Sequence, residues 1–261
     1  MKLTQSLEKI LKPSSVVFNE EDHTYQHIAT GEMYTGCTTI SDAWDKSFFL
    51  GPWYAKEMAN EILSVPFDQI TQDPETFALT INDAKGAAKR KSQKAKETGK
   101  IAHQYFSDLI SGKNPEFPED EEAKRSAEAF KTFYDNLGAQ WIASEELVSS
   151  DEYKVAGTLD AIAVIDGVTY IVDFKTSGQL SPSYILQCAG YDIMLKEMGL
   201  SVSGYLIIRT PKDGREVETL TVTDKDLMQF ARDTFLKQRE AHKFYVYAEN
   251  KLKENGKLKT D

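Results

Sequence analysis

Residues 155–177, VAGTLDAIAVIDGVTYIVDFKTS, contain two apolar segments rich in β-branched residues that meet at Asp166-Gly167. Asp-Gly between alternating apolar residues is the strongest short signal for a β-hairpin. A two-residue turn at this point pairs the flanking residues symmetrically, so Asp160 lies directly opposite Asp173. The sequence therefore predicts a hairpin that forces two carboxylates together.

Opposed like charges destabilise a sheet, so a cationic group is expected between them. Lys175 follows Asp173 by two residues, and the period of a strand places both side chains on one face. An exposed Asp-x-Lys segment is also typical of a weak surface ion pair. The apolar run around Asp173, however, indicates a central strand, where a charge needs a partner or an ion. Acidic oxygens beside an ammonium favour a divalent metal and an activated water.

Four short motifs occur in order along the chain: TGKIAHQYF with His103, GTLD ending at Asp160, VDFKTS with Asp173 and Lys175, and QCAGY from Gln187 to Tyr191. In this order and spacing the sequence resembles the PD-(D/E)XK nuclease superfamily in its RecB-like exonuclease branch, and is similar to mitochondrial genome maintenance exonucleases and related phage exonucleases. Thr158-Leu159 stands where the superfamily name has proline, which leaves Asp160 itself in place.

The resemblance implies an α/β fold with a mixed central β-sheet flanked by helices, a restriction-endonuclease-like core, and helical additions at the amino terminus. We expect one nuclease domain over residues 1–249. Its parts are amino-terminal strands and helices over residues 1–80, a helical region over 81–140 and the nuclease core over 141–249. Residues 67–80 are expected to be irregular, and the charged tail over residues 250–261 to be disordered.

The resemblance also implies a ligand set for Mg²⁺ or Mn²⁺: His103, Asp160, Asp173 and the backbone carbonyl of Phe174. Lys175 is implied as the catalytic lysine. Gln187 and Tyr191, one helical turn apart, are implied to steady the site and contact DNA. Related enzymes carry a further acidic residue before GTLD. Either Glu145 or Glu146 fits, and the choice stays open because a shift of one residue changes the face of a strand.

Charge is distributed unevenly along the chain. The net charge is -10, yet residues 85–100 contain seven basic residues and one acid, so this segment carries +6. Such a run is often a solvated helix face. Its position immediately before the His103 motif favours phosphate contacts instead, and we assign these to four residues: Lys89, Arg90, Lys91 and Lys94.

Several classes of protein are disfavoured by composition. Cys37 and Cys188 are the only cysteines, too few to hold an iron–sulfur cluster, which argues against the iron–sulfur members of the superfamily. The sequence has neither an apolar run of membrane-spanning length nor a secretory leader pattern, so a cytoplasmic protein without a membrane partner is expected.

These observations lead to the hypothesis of a metal-dependent DNA exonuclease that hydrolyses phosphodiester bonds from DNA ends in recombination, repair or replication-end processing. The expected partners are single-stranded DNA or a duplex end, and a single-strand annealing or recombination protein. One alternative is a structure-specific or restriction-like endonuclease. Another, of a different class, is a noncatalytic DNA-end-binding recombination partner.

Overall fold

The computed structural model describes residues 11–43 and 47–257. The chain divides into two compact units, Trp44–Ile101 and a larger unit formed by the residues on either side of it. The helices of the described residues are α1 (Cys37–Ser41), α2 (Ser47–Ser64), α3 (Phe67–Ile70), α4 (Pro74–Ala84), α5 (Ala87–Ile110), α6 (Glu121–Leu137), α7 (Pro182–Glu197) and α8 (Lys225–Glu254). None of these helices is long and apolar enough to cross a membrane.

The larger unit is built on a mixed sheet of eight strands in the described residues, β1 (Val16–Asn19), β2 (Thr24–His27), β3 (Met33–Gly36), β4 (Gln140–Ser150), β5 (Val155–Ile165), β6 (Val168–Lys175), β7 (Gly204–Arg209) and β8 (Glu218–Val222). The strand order is β1-β2-β3-β5-β6-β7-β8, and β4 pairs with β5. The pairs β3–β5 and β6–β7 are parallel and the others antiparallel.

Two apolar clusters flank this sheet. One joins α1, α7 and α8 to residues such as Ile162, Ile171 and Tyr205. The other joins the end of α5 and the length of α6 to residues such as Ala161 and Phe174. Helices therefore cover the sheet in two separate layers, which confirms the predicted α/β fold with a mixed sheet flanked by helices.

Local signals fix the helix ends in the larger unit. Asp120 accepts a hydrogen bond from the Ala123 N–H and caps α6, and Gly138 ends it with a left-handed φ of 64°. Helix α8 continues to Glu254, so the domain boundary expected at residue 249 falls inside it. The ion pair between Lys253 and Glu249, one turn apart, supports this last part of the helix.

The smaller unit contains α2, α3, α4 and the start of α5, whose residues from Ala102 onward belong to the larger unit. The prediction that residues 67–80 are irregular is wrong, because α3 and most of α4 lie there. Asp73 accepts hydrogen bonds from the N–H groups of Glu75 and Thr76, and Pro74 occupies the first turn. Pro74 thus starts a helix, where its missing N–H costs nothing.

The predicted hairpin is present in the predicted register. Strands β5 and β6 pair from Ala161 opposite Val172 to Ile165 opposite Val168. Asp166 and Gly167 have φ angles of 50° and 79°, the left-handed conformations that a tight turn between twisted strands requires.

Strand β5 changes partners along one edge. Strand β4 pairs with it from Val155 to Val164, whereas β3 pairs with Val155 and Ala156 and β6 with residues 161–165. Since β4 occupies one edge throughout, β3 and β6 share the other. Residues 157–160 therefore lie in a split between two partner strands, and Asp160 is at the end of this split.

Candidate active site

The split in the sheet gives Asp160 an unusual backbone partner. The ladder between β5 and β6 ends at Ala161 and Val172, and the next free amide, that of Phe174, donates to Asp160 Oδ2 at 2.6 Å. A carboxylate thus replaces a strand carbonyl as acceptor. This contact holds Asp160 beside β6 and keeps the two strands together where their ladder stops.

Asp173 and Lys175 form a buried ion pair on β6. Asp173 is 1% exposed, and Lys175 Nζ lies 2.7 Å from both of its carboxylate oxygens. Only the contact with Oδ1 has hydrogen-bond geometry, and the buried Oδ2 has the same ammonium as its ion-pair partner. A carboxylate oxygen has more than one lone pair, so Asp173 Oδ2 can accept a further ligand beside the ammonium.

His103 on α5 and Glu145 on β4 converge on Asp160. His103 Nδ1 lies 3.6 Å from Asp160 Oδ1. One ligand atom from each of these three residues lies within 4.8 Å of the others, a separation compatible with binding one metal ion. The His103 ring also contacts the aromatic cluster under the sheet, with its centroid 6.2 Å from that of Phe174.

The structure distinguishes Glu145 from Glu146, between which the sequence did not decide. Ser144 pairs with Ala161 and Glu146 with Leu159, so Glu145 lies opposite Asp160. Glu145 belongs to the group around Asp160, and its φ of 53° is left-handed. Such a conformation costs about 1–3 kcal/mol in a residue other than glycine, and residues strained in this way cluster at functional sites.

The charges in this group act on one another. Burial opposes ionisation of Asp160, but His103, Lys175 and the Phe174 N–H outweigh it and lower the pKa of Asp160. Burial raises the pKa of Asp173 to about 6, against the opposing effect of Lys175. Burial and the charge of Asp160 raise the pKa of Glu145 to about 7, although the residue as a whole is solvent-exposed.

The pKa values of His103 and Lys175 are both higher than those of the free side chains in water. Burial acts to lower the pKa of His103, but the negative charge of Asp160 outweighs it and raises that pKa. Burial likewise opposes the charge on Lys175, yet Asp173 and Asp160 raise its pKa. Acids and bases therefore stabilise each other's charged forms at this end of the hairpin.

These residues fit a divalent metal. Carboxylate oxygens and one imidazole are ligands that Mg²⁺ and Mn²⁺ accept, and His103, Glu145 and Asp160 bring one imidazole and two carboxylates together. Phe174 has its amide on Asp160 and its side chain in the aromatic cluster. The role of its carbonyl as a ligand stays a prediction.

Gln187 and Tyr191 on α7 are joined to each other and to the split. Gln187 Nε2 donates to Tyr191 Oη at 3.1 Å, and Tyr191 Oη donates to the Thr158 carbonyl at 2.9 Å. A Cβ on Gly157 would lie 2.8 Å from Tyr191 Cε1, so only glycine admits this ring. Tyr191 is buried, so its contacts position β5, and Gln187 is the half-buried member of the pair.

The four residues assigned to phosphate contacts are all exposed residues of α5 in the smaller unit, but they differ in their partners. Arg90 pairs with Glu61 and Asp83, and Lys91 pairs with Glu57. No ion pair of Lys89 or Lys94 is found within residues 47–101. Phosphate contacts were predicted for all four residues, and two of them are paired with acids on α2 and α4.

Two groups near the site escaped sequence reasoning. Ser144 Oγ lies 3.0 Å from Ser107 Oγ and 3.3 Å from the Asp160 carbonyl, linking α5 to both strands. The ring of Tyr184 lies under the Lys175 ammonium. The recurrence of Tyr184, Gln187 and Tyr191 on one face of α7 was the available signal, but it does not show which strand that face meets.

No protein-family model matches the sequence, and a comparison with curated proteins gives no match. Similar solved structures include SSO0001, with 13% identity, 74% of this chain and 88% of that chain covered, and a TM-score of 0.30. A "Putative exonuclease" from Eubacterium rectale is 16% identical over 63% of this chain and 70% of that chain, with a TM-score of 0.40. The alkaline exonuclease LHK-Exo from Laribacter hongkongensis is 12% identical over 58% of this chain and 84% of that chain, with a TM-score of 0.31. The functional conclusion rests on the side chains themselves.

Proposed function

We propose that this protein is a metal-dependent deoxyribonuclease that acts as an exonuclease on DNA ends. The observation that carries this proposal is the convergence of His103, Glu145 and Asp160 beside the buried Asp173–Lys175 pair. Groups of this kind are expensive to bury, and a purely structural hairpin gains nothing from them. A noncatalytic DNA-end-binding protein would have no use for the same set.

His103, Glu145, Asp160 and Asp173 are the residues that would hold Mg²⁺ or Mn²⁺. When bound, such an ion acidifies a water molecule and stabilises negative charge on a phosphate. Oxygen ligands suit Mg²⁺, and the imidazole of His103 makes Mn²⁺ a good competitor.

Lys175 has the role of orienting the nucleophile and stabilising charge on the phosphate. Asp173 holds its ammonium at 2.7 Å, and the raised pKa keeps it protonated. A fixed positive charge in a water-poor site stabilises developing negative charge more strongly than one in bulk water. Tyr191 and Gln187 support this chemistry through Thr158, two residues before Asp160.

DNA binding is assigned to the basic segment of residues 85–100, chiefly to Lys89 and Lys94. Outside this segment the chain carries a net charge of -16, which repels a polyanion. Arg90 and Lys91 would first have to leave their carboxylate partners, so their contribution is smaller. The same proposal includes a role in recombination, repair or replication-end processing, with a single-strand annealing or recombination protein as partner.

Requirement for a DNA end distinguishes the exonuclease from an endonuclease on the same scaffold. Linear and circular single-stranded DNA of one sequence are incubated with the protein and Mn²⁺, with Asp160→Asn as the matched control. We expect the linear form to be degraded, the circle to survive, and the variant to be inactive on both. Rapid nicking of the circle would favour the endonuclease, and inert wild-type protein would favour the noncatalytic alternative.

A further inference from the structure

The ammonium of Lys175 is enclosed from two directions. On one side lies the Asp173 carboxylate, and on the other the ring of Tyr184, whose centroid is 5.0 Å from Nζ. A cation over an aromatic face is attracted by the ring quadrupole, most strongly when water is scarce. The Lys175 side chain is 17% exposed, so the contact with Tyr184 is largely shielded from solvent.

Tyr184 is itself held in place by the loop that follows β6. Its hydroxyl donates to Ser177 Oγ at 2.9 Å, and Ser177 Oγ donates to the Gln179 carbonyl at 3.0 Å. Each hydroxyl thus has one defined direction of donation. Because Ser177 lies two residues after Lys175, the ring and the lysine are tied to the same short stretch of backbone.

Arg209 anchors this stretch from the neighbouring strand. It lies beside Lys175 in the parallel register of β6 and β7 and is 1% exposed. Its Nη1 donates to the Ser177 carbonyl at 3.0 Å, and its other nitrogens bind Glu218. A buried guanidinium with fixed donors is a rigid support, so Ser177 has little freedom to move.

We propose that Tyr184 is a positioning residue for Lys175, and that Ser177 and Arg209 hold it in that role. The proposal rests on the proposed nuclease function, in which Lys175 contacts the reacting groups. A lysine has a long flexible side chain. Restricting it between a carboxylate and a ring places the ammonium before substrate arrives, and catalysis depends on such placement.

A purely structural role for Tyr184 makes a different prediction. Its side chain also packs at the border of the cluster around α7, so its loss could lower stability alone. In that case kcat per folded molecule and the accessibility of Lys175 would both stay unchanged. Tyr184→Leu removes the ring face, whereas Tyr184→Phe keeps the ring and removes only the hydrogen bond to Ser177.

The first test compares these two variants in steady-state hydrolysis, with folded protein quantified by thermal unfolding. We expect Tyr184→Leu to lower kcat about two- to thirtyfold, the range that a cation–π contact commands, while KM changes little. Tyr184→Phe should retain most of kcat. Ser177→Ala removes the same hydrogen bond from its other side. Ser177→Ala also removes the hydrogen bond to the Gln179 carbonyl, so the double variant with Tyr184→Phe should lose no more than Ser177→Ala alone.

The second test uses metal-free protein and needs no nuclease activity. Reductive methylation of lysines is followed by mass spectrometry, with the exposed Lys196 as internal reference. We expect Lys175 to react at least about twofold faster in Tyr184→Leu than in wild type or Tyr184→Phe. Equal labelling of Lys175 in all three proteins would overturn the proposal, as would unchanged kcat in Tyr184→Leu. Inactive wild-type protein would overturn the nuclease function instead, and labelling alone would then decide the positioning role.

Discussion

The two ends of the β5–β6 hairpin contrast sharply. The closed end, from Ala161 and Val172 to the Asp166-Gly167 turn, is a regular ladder with fully buried apolar residues such as Ile171. At the open end the ladder stops, and the Phe174 amide turns to a carboxylate. The side chains at the open end include the charged Asp160, Asp173 and Lys175, whereas the closed end has apolar side chains in the corresponding positions. One pair of strands therefore carries buried apolar packing at one end and the candidate active site at the other.

The ionised forms of the two aspartates at the open end have opposite effects on the stability of the fold. The pKa of Asp160 is lowered, so its charge stabilises the folded state above the unfolded pKa. The pKa of Asp173 is raised from 3.8 to about 6. Between these values the folded protein retains a proton that the unfolded chain has lost, so this group's contribution to stability falls as pH rises. Asp173 is thus kept charged at neutral pH against its environment.

The largest expected effect is a difference in the free energy of unfolding between variants at Ile171 and Asp173, which are neighbours on one face of β6. Ile171→Ala should lower the free energy of unfolding by about 2–5 kcal/mol, because it opens a cavity in the core. Asp173→Asn at pH 7 should lower it by much less or raise it, since it removes the unfavourable charge. Urea unfolding of both variants and wild type measures this difference.

The same variants sharpen the comparison when pH is changed. Well below pH 3.8 Asp173 is protonated in both states, so any advantage of Asp173→Asn should vanish there, grow between pH 3.8 and about 6, and stay constant at higher pH. Equal losses in Ile171→Ala and Asp173→Asn at pH 7 would contradict the division of the hairpin into a stabilising and a functional end.

A smaller effect separates two neighbouring glutamates of β4. Glu145→Gln should reduce Mn²⁺ affinity at least about tenfold, the lower limit seen when even an indirect partner of a metal ligand is lost. Glu146→Gln is the matched control and should leave affinity unchanged, because Glu146 is not in the group around Asp160. Titration of initial rate with Mn²⁺ gives both values. A greater loss in Glu146→Gln would reverse the assignment.

The smallest effect concerns the basic segment. Replacing Lys89 and Lys94 by Gln should flatten the slope of log affinity against log salt for single-stranded DNA by about 1.4, about 0.7 for each contact. Replacing Arg90 and Lys91 should change the slope less, because carboxylates already neutralise them. Fluorescence anisotropy across a salt series measures both. An equal change for the two pairs would show that the ion pairs open on binding.

Local sequence signals predicted much of this fold. The Asp-Gly turn set the hairpin register, because the backbone preferences of these two residues act within the turn itself. Local signals failed at residues 67–80, which were expected to be irregular, because Pro74 lies in the first turn of a helix that Asp73 caps. Proline is compatible with both structures, and the neighbouring cap decides between them.

Physical reasoning from the sequence predicted the candidate site only as far as the hairpin reaches, and His103, which lies beside Asp160, was named only through the family resemblance. Asp160, Asp173 and Lys175 follow from one turn, whereas Glu145 depends on the register of β4, which includes an irregularity between Trp141 and Ala143. Sequence alternation cannot count residues across such a shift. The ring of Tyr184 under Lys175 likewise depends on how α7 meets the sheet, which no local pattern specifies.

The central claim is that the open end of the hairpin is a metal-dependent nuclease centre. It is tested most directly by hydrolysis of end-labelled linear DNA with Mn²⁺, by wild-type protein and by Asp173→Asn at equal folded concentration. Because metal-assisted charge stabilisation amounts to several kcal/mol, we expect a loss of about a thousandfold or more in the variant. Hydrolysis by Asp173→Asn at the wild-type rate would contradict the account.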